Sequence, residues 1–297
     1  MEDTVQETIE KKLSMLMRRE LTIVGAGRTD AGVHANCMVA HTEIDSLDMP
    51  VEQLVFKLNQ VLPPDIVIRK MVPVKPDAHA RYSALARTYK YYITIDKPLY
   101  NRDYVMRIFE PLDIELMNHA CAKLFCYEDF TSFSKLHTDT KTNICHIREA
   151  YWEVQQPAAS ASVTPAYGQM ATGRDRSADP DLTRSRSCGT PHFVPDATYI
   201  FTITADRFLR NMVRAIVGTL LQVGHHKMTV KEFAEVIERK DRCIAGDSVV
   251  AQGLFLENIE YPDECFYSDE ELFELESKQK ECARKADDPK GENPATE

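Results

Sequence analysis

The residue types that could do chemistry are concentrated in the stretch Thr22 to Ala35, TIVGAGRTDAGVHA. It holds one carboxylate (Asp30), one guanidinium (Arg28), one imidazole (His34) and three glycines (Gly25, Gly27, Gly32). Gly25-Ala26-Gly27, coming after the apolar residues Leu21 to Val24, matches the first half of a dinucleotide-binding turn. Asp30, however, stands where the third glycine of that pattern belongs, and its charge would repel a pyrophosphate. Gly32 would also weaken the helix that must follow, by about 1 kcal/mol relative to alanine. The second chemistry is a loop that presents Asp30 as a nucleophile or base. In that reading Gly25 and Gly27 turn the backbone out of a strand and Gly32 leaves room for a substrate. The plainest reading is a tight turn in which Asp30 caps a helix or pairs with Arg28, since Asp and Gly in loops are usually turn chemistry.

Composition narrows the partners. A chain of 297 residues with 43% hydrophobic content can build one large core or two smaller ones. It contains no run of about 18 apolar residues that would span a bilayer. The opening MEDTVQETIEKK is acidic and lacks the apolar segment of a secretory signal. Eight cysteines are scattered, and Cys121 and Cys126 are spaced wrongly for a CxxC site. With nine dispersed histidines, this predicts reduced thiols, a cytoplasmic protein and no bound metal. The net charge is −10, but Pro262 to Glu297 carries 12 acidic and 5 basic residues and so most of the excess. Elsewhere basic residues cluster, with Lys75, Arg81, Arg87 and Lys90 in one stretch and Arg207, Arg210 and Arg214 in another. Such local clusters are compatible with a polyanionic partner.

The elements that must position these residues follow from periodicity. Residues 4–20 read as an amphipathic helix with a capping-box spacing at Thr4 and Glu7 and an apolar stripe of Val5, Ile9, Leu13 and Leu16. Strands are predicted at Leu21–Val24, Met38–Ile44, Ile66–Val74, Ala84–Ile95, Ile144–Val154, Tyr199–Ala205 and the GLFLENIEY segment. Helices are predicted at Val51–Leu62, stopped by Pro63-Pro64, and at Asp113–Cys126, Phe208–Val223 and Val230–Lys240. Residues 155–198 lack periodicity and read as a disordered insertion, whose arginines (Arg174, Arg176, Arg184, Arg186) sit among Ser, Pro and Gly. The acidic segment 263–297 reads as a flexible tail. This order predicts an α+β fold of two similar halves, 4–110 and 111–262, with a mixed, mainly antiparallel sheet and helices on one face.

One string goes beyond turn chemistry. GRTDAGVHA (Gly27 to Ala35) resembles the signature of the TruA-type tRNA pseudouridine synthases. Further segments resemble that family in order and spacing: FKLNQVLPPDI, DAHARYSALARTYKYYI, EDFTSF, FLRNMVRAIVGTLLQVG and AQGLFLENIEYP. The resemblance covers roughly residues 4–154 and 199–262. Family members ordinarily open with a strand ahead of the first helix, whereas here Met1 stands almost at the helix. A truncated sequence, a misplaced start and a lost strand are the three readings of that difference, and loss of the strand would leave a sheet edge uncovered and remove basic residues near the RNA site.

What the resemblance implies is an isomerase acting on uridines of the tRNA anticodon stem-loop, around positions 38–40, with a cleft between the halves for RNA. It also implies a homodimer and no organic cofactor. Pseudouridine formation breaks the N1–C1′ bond and joins C1′ to C5 of the same base, so a nucleophilic carboxylate suffices. The resemblance assigns that role to Asp30, leaving open attack at C1′, addition at C6 or a glycal intermediate. A carboxylate in a closed site needs a cation, and the resemblance puts Arg214 there. Spacing alone also allows Arg214 to be one of an exposed helical stripe with Arg207 and Arg210. Tyr89 resembles the active-site tyrosine that stacks on uracil and handles a proton at C5, and Tyr91 shares its side of the strand. Arg28 resembles the residue that fills the space of a flipped nucleotide, and Leu254 is the candidate apolar floor under the base. Lys75, Arg81, Arg87, Arg210 and Lys227 are candidate phosphate contacts. The competing functions are a non-catalytic tRNA-binding or chaperone protein that keeps the fold, and a nucleotide-dependent oxidoreductase, which Asp30 disfavours.

Overall fold

The computed structural model describes residues 4–98, 100–135, 142–155 and 198–274. The unperiodic segment, its arginines included, and the last part of the acidic tail lie outside these residues. The described chain divides into two compact units, each assembled from separated segments. It is an α+β fold. Among the described residues no helix is long and apolar enough to cross a membrane.

The first unit contains residues up to Arg28, Cys37–Ala86 and the chain from Asn258 onward. Its helix α1 (Val5–Met17) begins where the Thr4 side chain accepts a hydrogen bond from the Glu7 amide, 3.1 Å. Leu13 and Met17 are buried, while Val5, placed in the stripe by periodicity, is exposed. Helix α2 (Val51–Val61) buries Leu54 and Leu58 in the same small core, which Leu21, Ile23 and Leu62 complete. A two-stranded antiparallel ribbon joins β1 (Val24–Gly25) to β3 (Ala40–His41).

Two strand expectations fail here for one reason. Of Leu21–Val24 only Val24 is in a strand, and at Leu21, Ile23 and Ile68 polar side chains of the helices stand where ladder partners are expected. Ser14 of α1 both accepts from the Leu21 amide, 2.9 Å, and donates to its carbonyl, 3.2 Å. Glu10 accepts from the Ile23 amide and Gln6 donates to its carbonyl, both at 2.9 Å. The Asn59 amide group of α2 likewise meets both backbone groups of Ile68 at 2.8 Å. Buried backbone groups need partners, and these side chains satisfy them without a neighbouring strand. The 66–74 segment has only an isolated bridge, Val74 to Phe266. That bridge, with the Lys75–Glu271 ion pair at 3.4 Å, fastens the start of the acidic segment to this unit.

The second unit contains Thr29–Asn36 and Arg87–Glu257. Its six-stranded sheet runs β2-β8-β4-β7-β6, with β5 beside β4. The strands are β2 (His34–Ala35), β4 (Ala86–Thr94), β5 (Met106–Arg107), β6 (Ile147–Gln155), β7 (Thr198–Ala205) and β8 (Leu254–Glu260). β7 is antiparallel to both β4 and β6, whereas β2–β8 and β4–β5 are parallel, so the sheet is mixed. Helices α3 (Ile114–Leu124), α4 (Met212–Gly224) and α5 (Val230–Glu238) share one core with it, including Tyr91, Met117, Phe130, Phe133, Phe201 and Ile203. The short loop Thr29–Asn36 belongs to this unit because β2 pairs with β8.

The side-chain ladder at Asn59 is testable. Asn59→Ala leaves the amide and carbonyl of Ile68 without partners and should destabilise the protein by about 1–3 kcal/mol, read as a lower urea midpoint at unchanged slope. An unchanged midpoint would show that Asn59 does not stand in for a strand.

Candidate active site

The conformation of the Asp30 loop is set by one turn and one strand pairing. The Asp30 carbonyl accepts from the Val33 amide at 3.1 Å, closing a turn whose third residue, Gly32, has φ +81°. A positive φ at that position is what glycine supplies. Gly25 and Gly27, expected to turn the chain, have no positive φ. Beyond the turn, His34 and Ala35 pair with Phe255 and Leu256, and the Asn36 amide donates to the Leu256 carbonyl at 2.9 Å. His34 stacks on Phe255 with ring centroids 4.8 Å apart. Asp30 is thereby held by its backbone while its carboxylate is left to pair.

Two guanidiniums meet that carboxylate. Arg214 Nη1 lies 3.1 Å from Oδ2, with the two side chains 21% and 26% exposed. Arg210 Nε lies 3.6 Å from Oδ1 and is 59% exposed. The pairing with Arg28 considered from sequence is not the one found; Arg28 is exposed and belongs to the first unit. The helical stripe of Arg207, Arg210 and Arg214 also fails. Asn211 adopts φ 66°, so the helix begins at Met212 and only Arg214 of the three lies on it. Arg214 and Gln222 are the only residues of α4 that are not buried. A charge in so apolar a helix requires a partner, and Asp30 is that partner.

Tyr89, on β4, packs its ring edge-to-face against Phe208 at 5.2 Å. Burial pushes its phenol above the usual tyrosine range, the Arg87 cation draws it back and the Asp30 anion raises it. The hydroxyl is therefore protonated at neutral pH. Tyr91 is fully buried and donates to the Val250 carbonyl at 2.8 Å, so it is a core residue near Arg214 and not a second open aromatic face. Leu254 is buried in the core at the start of β8.

The basic candidates do not form one group. Arg87 donates to the Asp206 carbonyl at 2.9 Å, and Lys227 is exposed just after α4. In the first unit, Lys75 pairs with Glu271, and Arg81 lies over the Tyr82 ring at 5.9 Å. Sequence reasoning missed the segment Ala245–Val250. It packs so closely on α4 that a Cβ on Gly218 would sit 1.8 Å from the Asp247 carbonyl oxygen. A glycine inside a helix costs stability, and that signal was present in AIVGTL. Among the described residues no group of three or more His, Cys, Asp and Glu side chains is arranged to hold a metal.

Comparison with known proteins bears directly on this arrangement. A family model described as tRNA pseudouridine synthase matches residues 1–83 and 120–262, which include Asp30, Arg210 and Arg214. The chain belongs to the tRNA pseudouridine synthase family. It is 49% identical over 263 residues to tRNA pseudouridine synthase A of Bacteroides thetaiotaomicron, covering 89% of this chain and 84% of that one. The tRNA pseudouridine synthase A of Bacteroides fragilis is 47% identical, with 89% of each chain covered. That of Escherichia coli is 34% identical over 265 residues, with 88% and 82% covered. A pseudouridine synthase is an isomerase, and this chain carries that activity's family signature across both of its compact units.

The two ion pairs should differ in strength. A double-mutant cycle on Asp30→Ala and Arg214→Ala, followed by urea unfolding, should give a coupling of about 1 kcal/mol, whereas the more exposed Arg210 pair should give a few tenths at most. Equal couplings would contradict the assignment of Arg214 as the principal partner.

Proposed function

We propose that this chain converts uridine to pseudouridine in the anticodon stem-loop of tRNA, around positions 38–40, with Asp30 as the nucleophile. The observation that carries this reading is the Asp30 carboxylate on a glycine turn, each oxygen facing its own guanidinium. The reaction is redox-neutral: N1–C1′ breaks, C1′ joins C5, and the hydrogen on C5 is lost while N1 gains one. Attack at C1′, addition at C6 and a glycal route share one need, a carboxylate fixed in direction and compensated in charge.

Tyr89 stacks on the uracil and its protonated hydroxyl serves the proton exchange at C5, consistent with its packing on Phe208 and its raised pKa. Arg28 occupies the space of the flipped nucleotide, in keeping with its exposure. Leu254 supplies the apolar floor, and Lys75, Arg81, Arg87, Arg210 and Lys227 contact phosphates. The finer architecture of the family belongs to the same proposal: two similar halves (4–110 and 111–262), helices on one face, an RNA-binding cleft, and a homodimer in the cytoplasm.

Incubating an unmodified tRNA transcript with the protein and mapping the product tests this directly. Pseudouridine should form within positions 38–40, and Asp30→Ala should form none while still binding tRNA. Binding without product from the intact chain would favour a tRNA-binding protein that keeps only the fold. Product from Asp30→Ala would remove Asp30 from the chemistry. Separately, Tyr89→Phe keeps the ring and loses the hydroxyl, so turnover should fall about 100-fold with tRNA affinity retained. Equal loss of affinity would make Tyr89 a binding residue only.

A further inference from the structure

Arg214 does not reach Asp30 unaided. Its Nε donates to the Val249 carbonyl at 2.7 Å, and the Val249 amide donates back to the Arg214 carbonyl at 3.2 Å. The first bond orients the guanidinium at Nε, with Nη1 directed at Asp30, and the second holds Val249 against the backbone of α4. The position of Val249 thus decides where the charge on Arg214 points.

Val249 is itself held from both sides. The preceding residue, Ser248, accepts at Oγ from Asn211 Nδ2, 2.5 Å, and from Arg242 Nη2, 2.9 Å. The following residue, Val250, has its carbonyl taken by the Tyr91 hydroxyl at 2.8 Å. Further back, the Gly246 amide donates to Thr219 Oγ1 at 2.9 Å, and Gly246 lies against the Gly218 backbone with no room for a side chain. The strap Ala245–Val250 therefore lies on α4 in a single register, hydrogen-bonded on each side of the residue that orients Arg214.

We infer that this strap is the device that aims Arg214 at Asp30, and that Tyr91 and Ser248 are positioning residues acting through Val249. Neither belongs to the reacting constellation: the Tyr91 ring is fully buried and its hydroxyl is spent on a carbonyl, and Ser248 holds only Asn211 and Arg242. Tyr91 reaches the reaction through the direction of the Arg214 guanidinium, and Ser248 does so both through Val249 and through Asn211, next to Arg210. Misplacing a catalytic group by about 1 Å costs up to about 100-fold in rate. The inference rests on the assignment of Asp30 and Arg214 to catalysis, so its test carries a readout that does not depend on activity.

Tyr91→Phe removes one oxygen from a buried ring and Ser248→Ala one hydroxyl. Single-turnover pseudouridine formation with protein in excess over an unmodified tRNA transcript should slow about tenfold in each, within the range expected for a misplacement smaller than 1 Å. The dissociation constant for tRNA and the reacting fraction should stay within twofold of the parent. In the same proteins, hydrogen exchange of the Arg214 Nε–H, assigned by its absence in Arg214→Lys, should accelerate about tenfold, because its acceptor is no longer held. An unchanged rate in both variants overturns the inference, as does a loss confined to the reacting fraction, which marks partial unfolding. Unchanged exchange at Arg214 overturns it as well. Should the parent protein form no pseudouridine, the proposed function fails, and the exchange measurement alone still decides whether the strap aims Arg214.

Discussion

The charge pair between Asp30 and Arg214 joins two parts of the second unit that lie 184 residues apart in the chain. Arg214 lies in a helix that is otherwise almost wholly apolar, and Asp30 lies on a loop held by a turn, two residues of strand and the contacts of His34 and Asn36. Bringing the two together requires β2 to join β8 in parallel, which places residues near the start of the chain beside residues more than 200 positions later. The second pair depends on where α4 begins: a helix continuing back through Arg210 would carry that guanidinium along the helix surface. The left-handed Asn211 instead sets Arg210 outside the helix, where it reaches the second carboxylate oxygen. An ion pair in this partly screened setting adds little to stability. What the pair fixes is the direction of the carboxylate, which is what the proposed reaction demands of Asp30.

The α+β class and the mixed sheet were legible from periodicity, and α2, α3 and α5 lie within two residues of expectation at every end. Met117, Ala120, Cys121 and Leu124 are inward as the spacing implied. The failures are informative. Leu21–Val24 and Ile66–Val74 have strand composition, yet the backbone groups of Leu21, Ile23 and Ile68 are met by Ser14, Glu10, Gln6 and Asn59. Sequence patterns register the apolar alternation of such segments and not the identity of the hydrogen-bond partner. The start of α4 was misplaced because a lone Asn carries no sign of its φ until the surrounding contacts fix it.

At the site, Asp30 was legible as a carboxylate wrongly placed for a phosphate cradle, and the motif resemblance singled it out further. Its partner was legible only through resemblance, because the spacing of Arg207, Arg210 and Arg214 also fitted an exposed stripe. The strap was not legible. Its residues are ordinary, and only Gly218 inside a helix marked a close approach. What holds Arg214 is mainly backbone, the carbonyl and amide of Val249, and backbone partners leave no trace in residue types.

The central claim is that the Asp30 carboxylate, held by Arg214, does the bond-breaking. The most direct measurement is a structure of the protein bound to a tRNA anticodon stem-loop before reaction. The expected result is a uridine flipped from the stem with C1′ or C6 about 3–3.5 Å from an Asp30 oxygen and the Arg214 guanidinium still on the carboxylate. A target uridine that remains stacked, or one whose C1′ and C6 face a carboxylate other than Asp30, would contradict it.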